Sequence, residues 1–161
     1  MTTPVPPSGN QKRRMKSASR LYAVQALYQM ELSGTTAEKT MREFLDYRFG
    51  AEVEEGVELV DGDVDLFGKI VGEALNWQGK IDQMTDRALV DRWPLARVDT
   101  TLRALFRAAG AELLSDTPPK VAITEFVEVA RAFFPDGREP KLVNAVLDHM
   151  AREAKPEAFG G

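Results

Sequence analysis

The chain has 161 residues, 43% of them hydrophobic, and a formal net charge of −4, enough for one domain that buries most of the surface its unfolded form exposes. The lack of cysteine and the single histidine, His149, exclude disulfide frameworks, thiol chemistry and Cys- or His-rich metal centres, so neither metal nor cofactor is expected. Residues 1–11 lack the apolar core of a signal peptide and no apolar run reaches the length of a membrane span, which predicts a soluble protein of the cytoplasm with no membrane contact.

Charge is unevenly spread. Residues 1–34 carry +4, from five cations and Glu31, and residues 35–161 carry −8. Such asymmetry allows one basic face on an otherwise acidic molecule. On charge alone, a few arginines solvating a terminus is the simpler account.

Residues 1–10 contain three prolines and little apolar surface, and read as disordered. The first helix is predicted to begin between Gln11 and Ser17, with Asn10 or Ser17 as cap, and to stop at Ser33-Gly34. Its Leu21, Val24, Leu27, Tyr28 and Leu32 share one broad face, and Tyr22, Ala23, Ala26 and Met30 cover most of the rest. This helix is therefore expected to run through the core with its neighbours built against it. In front of it Lys12, Arg13, Arg14, Lys16 and Arg20 place five cations in nine residues, a solvated lead with Lys16 and Arg20 four apart on one side.

Thr36 caps a predicted second helix over 37–47, which leans Met41, Phe44 and Leu45 back on the first. Residues 48–63 carry six acids and three glycines and read as a long solvated loop, since no EF-hand pattern is present. Asp63 caps a third helix over 64–77, and a fourth follows through Gly79 over 81–91. The clearest helical signal comes next: Val98, Leu102, Leu105, Phe106, Ala109 and Leu113 fall on one stripe, leaving Arg103 and Arg107 on a solvated face with Arg107 near Glu112. After Pro118-Pro119 a sixth helix over 120–134 turns Ile123, Phe126, Val127, Ala130 and Phe134 inward. A last helix opens at Glu139-Pro140 and buries Val143, Val146, Leu147 and Met150. No period-two run is long enough for a sheet. The fold class is all-α, with about seven helices in bundle-like packing.

Catalytic groups do not converge in this sequence. Asp148 and His149 are adjacent, hence about 100° apart on a helix, and His149 reads as a surface residue. Glu125 and Glu128 share a helix face, as exposed acids on amphipathic helices commonly do. Phosphate loops and dinucleotide fingerprints are absent. An enzyme is not expected.

Two stretches are more specific than composition. AVQALYQMELSG, residues 23–34, follows the basic lead, and residues 118–148 read PPKVAITEFVEVARAFFPDGREPKLVNAVLD. In this order, with Phe106-Arg107 and Glu112-Leu113 between them, they resemble the NusB family of bacterial transcription antitermination factors. The family pattern has an arginine-rich start, A-x-Q-x-L-Y, L-R and E-L, P-x-x-V-A-I-N-E-x-V-E-L-A-K-x-F, and F-V-N-G-V-L-D. Thr124, Arg131, Ala145 and Leu142 stand where the pattern has Asn, Lys, Gly and an aromatic, and Ser17 and Ala18 stand where it can carry arginines.

The resemblance covers residues 12–152 and implies a compact arrangement of two packed helical bundles as an RNA-binding domain, with 1–11 and 153–161 as disordered tails. It further implies recognition of the boxA element of nascent ribosomal RNA, as single-stranded RNA, together with NusE, a small-subunit ribosomal protein. Other Nus factors and RNA polymerase would join the assembled complex, which restrains termination, and a homodimer is left open. Lys12, Arg13, Arg14, Lys16, Arg20 and Lys141 are suited to phosphates, Gln25 to a base edge, Tyr28 to stacking and Leu142 to apolar contact. Tyr28 also lies on the apolar face, so core and RNA contact are both open for it. The alternative function is a helical protein-interaction module with no direct RNA contact. The same resemblance admits the RNA-binding domain of an RNA methyltransferase, although no cofactor-binding domain follows within this chain.

Overall fold

The computed structural model describes residues 8–47, 49, 52–53, 57–58, 62–89 and 98–160. Among the described residues seven α-helices carry the fold. Helix α1 (Gly9–Ser33) starts earlier than its composition suggests, because Ser8 caps it: Ser8 Oγ accepts from Gln11 N at 3.2 Å, and Gln11 Oε1 accepts from Ser8 N at 2.7 Å. It ends at Gly34, whose φ of 68° is the left-handed conformation that glycine adopts without strain. Helix α2 (Ala37–Tyr47) is capped by Thr36, with Lys39 N 3.2 Å from Thr36 Oγ1.

The stretch read as a long loop is not wholly irregular. Strands β1 (Glu52–Val53) and β2 (Val57–Glu58) pair antiparallel, Glu52 opposite Glu58 and Val53 opposite Val57. The acids Glu54, Glu55 and Asp61 lie outside the described residues. Helix α3 (Val64–Asn76) is capped by Asp63 as its sequence predicts, the carboxylate accepting from Leu66 N at 3.0 Å. Helix α4 (Gln78–Ala88) begins three residues before the predicted start, straight after Trp77, so Gly79 is inside the helix rather than between helices. Helix α5 (Thr100–Leu113) is capped by Asp99, α6 (Pro119–Phe133) opens on a proline, and α7 (Glu139–Ala154) leads to a closing 3-10 helix (Pro156–Phe159).

Helix α5, not α1, is the axis. Ten of its residues are buried, on every side but the one that carries Arg103 and Arg107, and α1, α3, α4, α6 and α7 all pack on it. Its Ala104, Ala108, Ala109, Gly110 and Ala111 are too small to hold neighbours away. A Cβ on Gly110 would collide with Ile81 Cγ2, which is how α4 comes close. On one side of this axis α1, α2 and α3 enclose an aromatic cluster, Phe49 lying 5.2 Å from Tyr22 and 5.0 Å from Phe67, which stacks on Phe44 at 5.7 Å. On the other side α4, α6 and α7 close over Ile81, Phe126, Val143, Leu147 and Met150. The predicted stripe of α5 is inside: Val98, Leu102, Leu105, Phe106, Ala109 and Leu113 are all buried.

Helix α1 is less enclosed than its apolar count suggests. Ser19, Arg20, Tyr22, Ala23, Val24, Ala26 and Leu27 are buried, but Tyr28 is 36% and Leu32 62% exposed, and Leu21 is half-buried. Arg103 and Arg107 also depart from the solvated face expected of them. Arg103 Nε donates to Glu31 Oε1 at 2.7 Å, and Arg107 forks onto Asp82 through Nε (3.0 Å) and Nη2 (2.9 Å). Glu112, the expected neighbour of Arg107, is instead 2% exposed and paired with Arg20.

Candidate nucleic-acid interface

The first turns of α1 carry the basic lead into solvent. Lys12, Arg13, Arg14 and Lys16 are all exposed, and Lys12, Arg14 and Lys16 have no ion-pair partner among the described residues. Arg13 Nη2 bonds the Asn10 side chain one turn back, which leaves its charge unneutralised. At 100° per residue Lys12 and Lys16 lie on the side that further along α1 faces the core, so they are wet because the helix projects past its neighbours there. Arg14 lies on the other side, within about 60° of Gln25, Tyr28 and Leu32.

Arg20 is the residue that the structure takes out of the predicted set. It is 5% exposed. Its Nε and Nη2 fork onto Glu112, the second contact at 3.1 Å, and its Nη1 lies 3.5 Å from Glu125 Oε2. A guanidinium committed to two carboxylates inside the protein is not presented to a phosphate. The helical positions of Arg20, Ala23, Val24 and Leu27 already place it on the buried face, four residues from Lys16 but where α1 has entered the bundle.

Further along α1, Tyr28 presents a third of its surface to solvent and packs the rest, at the edge of the core rather than inside it. Gln25 is half-buried and its Oε1 is buried without a hydrogen-bond partner among the described residues. Tyr28 sits roughly 18 Å beyond Lys16 along the axis at about 1.5 Å per residue. On α7, Lys141 is exposed and Leu142 half-buried against the core. Helix α6 separates this end from α1, packing on both. The predicted contacts thus fall into an exposed basic turn, a Gln25–Tyr28 step on the same helix, and the start of α7.

Sequence reasoning missed the groups that hold this surface in place. Ser17 Oγ donates to Glu125 Oε2 at 2.9 Å, joining α1 to α6. Ser19 Oγ donates to Asp63 O at 2.7 Å, and Asp63 N reaches Ser19 Oγ at 2.6 Å and Met15 O at 3.3 Å, which seats the start of α3 on α1. At the far end Glu31 joins Arg103 and Arg107. Burial disfavours the Arg107 charge, but its hydrogen bonds to Asp82 and the charges of Asp82 and Glu31 outweigh this and hold its pKa above the usual arginine value. One signal for the inner pair was available: Arg20 and Glu112 each occupy a position of an otherwise apolar stripe, where a charge is buried only with a partner.

His149 is on the surface, Glu128 pairs with Arg131 on its own helix, and Glu125 accepts from Ser17. Among the described residues no group of three acids or histidines is placed to hold a metal ion. None of the described helices is long and apolar enough to cross a membrane.

Known proteins share both the sequence and the arrangement. A transcription antitermination protein NusB of Maricaulis maris (strain MCS10) is 46% identical over 155 residues, covering 95% of each chain. A protein of the same name from Agrobacterium fabrum (strain C58) is 46% identical over 145 residues, 89% of this chain and 87% of that one. The solved structure of T. maritima NusB superposes over the whole of both chains with a TM-score of 0.67 at 27% identity. A crystal structure of antitermination factors NusB and NusE in complex with dsRNA has the same fold, with a TM-score of 0.69 at 20% identity over 87% of this chain and 98% of that one. The model of the NusB family matches residues 17–152, from the last turn of the basic lead into the last turn of α7, and the chain belongs to that family.

Proposed function

We propose that this protein binds boxA RNA of nascent ribosomal RNA transcripts together with NusE and thereby helps RNA polymerase resist termination. Family membership supports a general role in transcription antitermination, the role of a regulator rather than an enzyme. The observation that carries the finer reading is the exposed start of α1, where Lys12, Arg13, Arg14 and Lys16 stand clear of carboxylates in a chain whose remainder is acidic. Four cations on one projecting helical end suit the phosphates of a single strand. Tyr28 adds a partly exposed ring and Gln25 a half-buried amide whose Oε1 lacks a partner among the described residues, while Lys141 and Leu142 extend the surface on α7. Residues 12–152 form the RNA-binding unit in this reading.

The exposure of Leu32 at 62% and Tyr47 at 73% favours a second reading, in which the protein docks another protein and never touches RNA. Titration of boxA and scrambled RNA at several salt concentrations, with and without NusE, separates the two. The RNA-binding reading expects a preference for boxA that NusE strengthens and salt weakens. Equal, weak binding of both RNAs, with NusE bound tightly, would leave the protein-docking module.

A further inference from the structure

We infer that Arg20 and Glu125 are positioning residues for RNA recognition, a latch that fixes the basic turn of α1 against α6 and, through α6, against the start of α7. The inference rests on the RNA-binding reading above and assigns Arg20 a role different from phosphate contact. The proposed RNA surface is divided between α1 and α7, and α6 lies between them, packed on both. One strand of RNA can engage both parts only if the two helices keep a fixed relation.

The polar contacts between α1 and α6 converge on one carboxylate. Glu125 Oε2 receives Ser17 Oγ at 2.9 Å and lies 3.5 Å from Arg20 Nη1, while the same guanidinium forks onto Glu112 of α5. Arg20 therefore ties three helices at one point, directly behind the last exposed cation, Lys16. A planar fork with three nitrogens in use sets direction as well as distance, which a lysine ammonium cannot reproduce. Glu112 and Arg20 are buried, and Glu125 keeps 28% of its side chain exposed, so the latch has a dry inner half and a wet outer half beside the basic turn. Glu125 can be changed without leaving a fully buried charge unpaired, because Glu112 continues to neutralise Arg20.

Three variants test this. Glu125→Ala removes the acceptor, Glu125→Gln keeps one, and Arg20→Lys keeps the charge but loses the fork. In the folded proteins, checked by circular dichroism, Glu125→Ala and Arg20→Lys should each weaken boxA binding roughly tenfold. Affinity for scrambled RNA and the salt dependence of boxA binding should stay as in the unsubstituted protein, since no phosphate contact is lost. Glu125→Gln should recover most of the boxA affinity. A residue of purely structural importance would lower the melting temperature without changing the ratio of boxA to scrambled binding. Unchanged boxA affinity in folded Arg20→Lys would overturn the latch, and so would a flattened salt slope, which marks Arg20 as a phosphate ligand.

Hydrogen exchange in the free protein separates this inference from the RNA reading. Faster exchange over residues 12–20 in Glu125→Ala, with α5 and α7 unaltered, supports the latch even if the unsubstituted protein shows no preference for boxA. Unaltered exchange there counts against it.

Discussion

Gly110 sits where α4 crosses the axis helix, and a single methyl group at this position would run into the fully buried Ile81. Gly110→Ala should therefore destabilise the fold by about 1–3 kcal/mol, although alanine is the better helix former, because overpacking outweighs propensity here. Denaturant unfolding measures it, and combining the change with Ile81→Ala should cost less than the two single changes added together. Tyr28 makes the opposite case. With a third of its surface in water and the rest packed, Tyr28→Ala should lower stability by about 1 kcal/mol and, if the ring stacks on a base, also weaken boxA binding by about 1–3 kcal/mol. A drop in melting temperature without loss of RNA affinity would return the ring to a packing role. Arg20 was hard to assign because the sequence shows a cation beside other cations. Only its three-and-four spacing to Ala23, Val24 and Leu27 reveals that it turns inward.

At the level of helices, caps and stripes were legible and the hierarchy was not. Thr36, Asp63 and the stripe from Val98 to Leu113 could be placed from spacing alone, since each uses one local rule. Helix α1 drew attention through large side chains such as Leu21, Tyr28 and Leu32, which prove half-buried or exposed, whereas α5 owes its central place to alanines and a glycine that score weakly as core. Small residues matter through what they let approach, and that depends on the partner helix. The partners within the long-range ion pairs were illegible for the same reason, since they lie far apart in the chain. Leu102→Asp should unfold the domain by placing an unpaired charge in the axis. Arg103→Asp should leave it folded yet cost about 1–3 kcal/mol, because a second carboxylate then faces Glu31; thermal melts followed by circular dichroism distinguish the two. Asp63→Ala should remove about 1 kcal/mol through the lost α3 cap.

Over the whole molecule, the division of charge makes a quantitative expectation. With Arg20 withdrawn, Lys12, Arg13, Arg14, Lys16 and Lys141 remain as the proposed phosphate contacts, so log K against log salt should fall with a slope of about −3.5, taking roughly −0.7 per phosphate on a single strand. Replacing Arg13 and Arg14 by alanine should flatten this by about 1.4 and weaken boxA and scrambled RNA alike. An unchanged slope in the folded double variant would remove the basic turn from the RNA surface. The latch behind that turn also has a consequence for how the protein is made. Arg20 and Ser17 find their partners 92 and 108 residues later in the chain. Helix α1 precedes both partners in the chain, so its polar ties to α5 and α6 form only after Glu112 and Glu125 have been made, whereas its seat on α3 through Asp63 is available earlier. A nascent chain halted before Glu112 should exchange the amide hydrogens of residues 12–20 faster than the full chain, and release past Glu125 should protect them. On that expectation, translation itself decides when the basic turn becomes a surface with a direction.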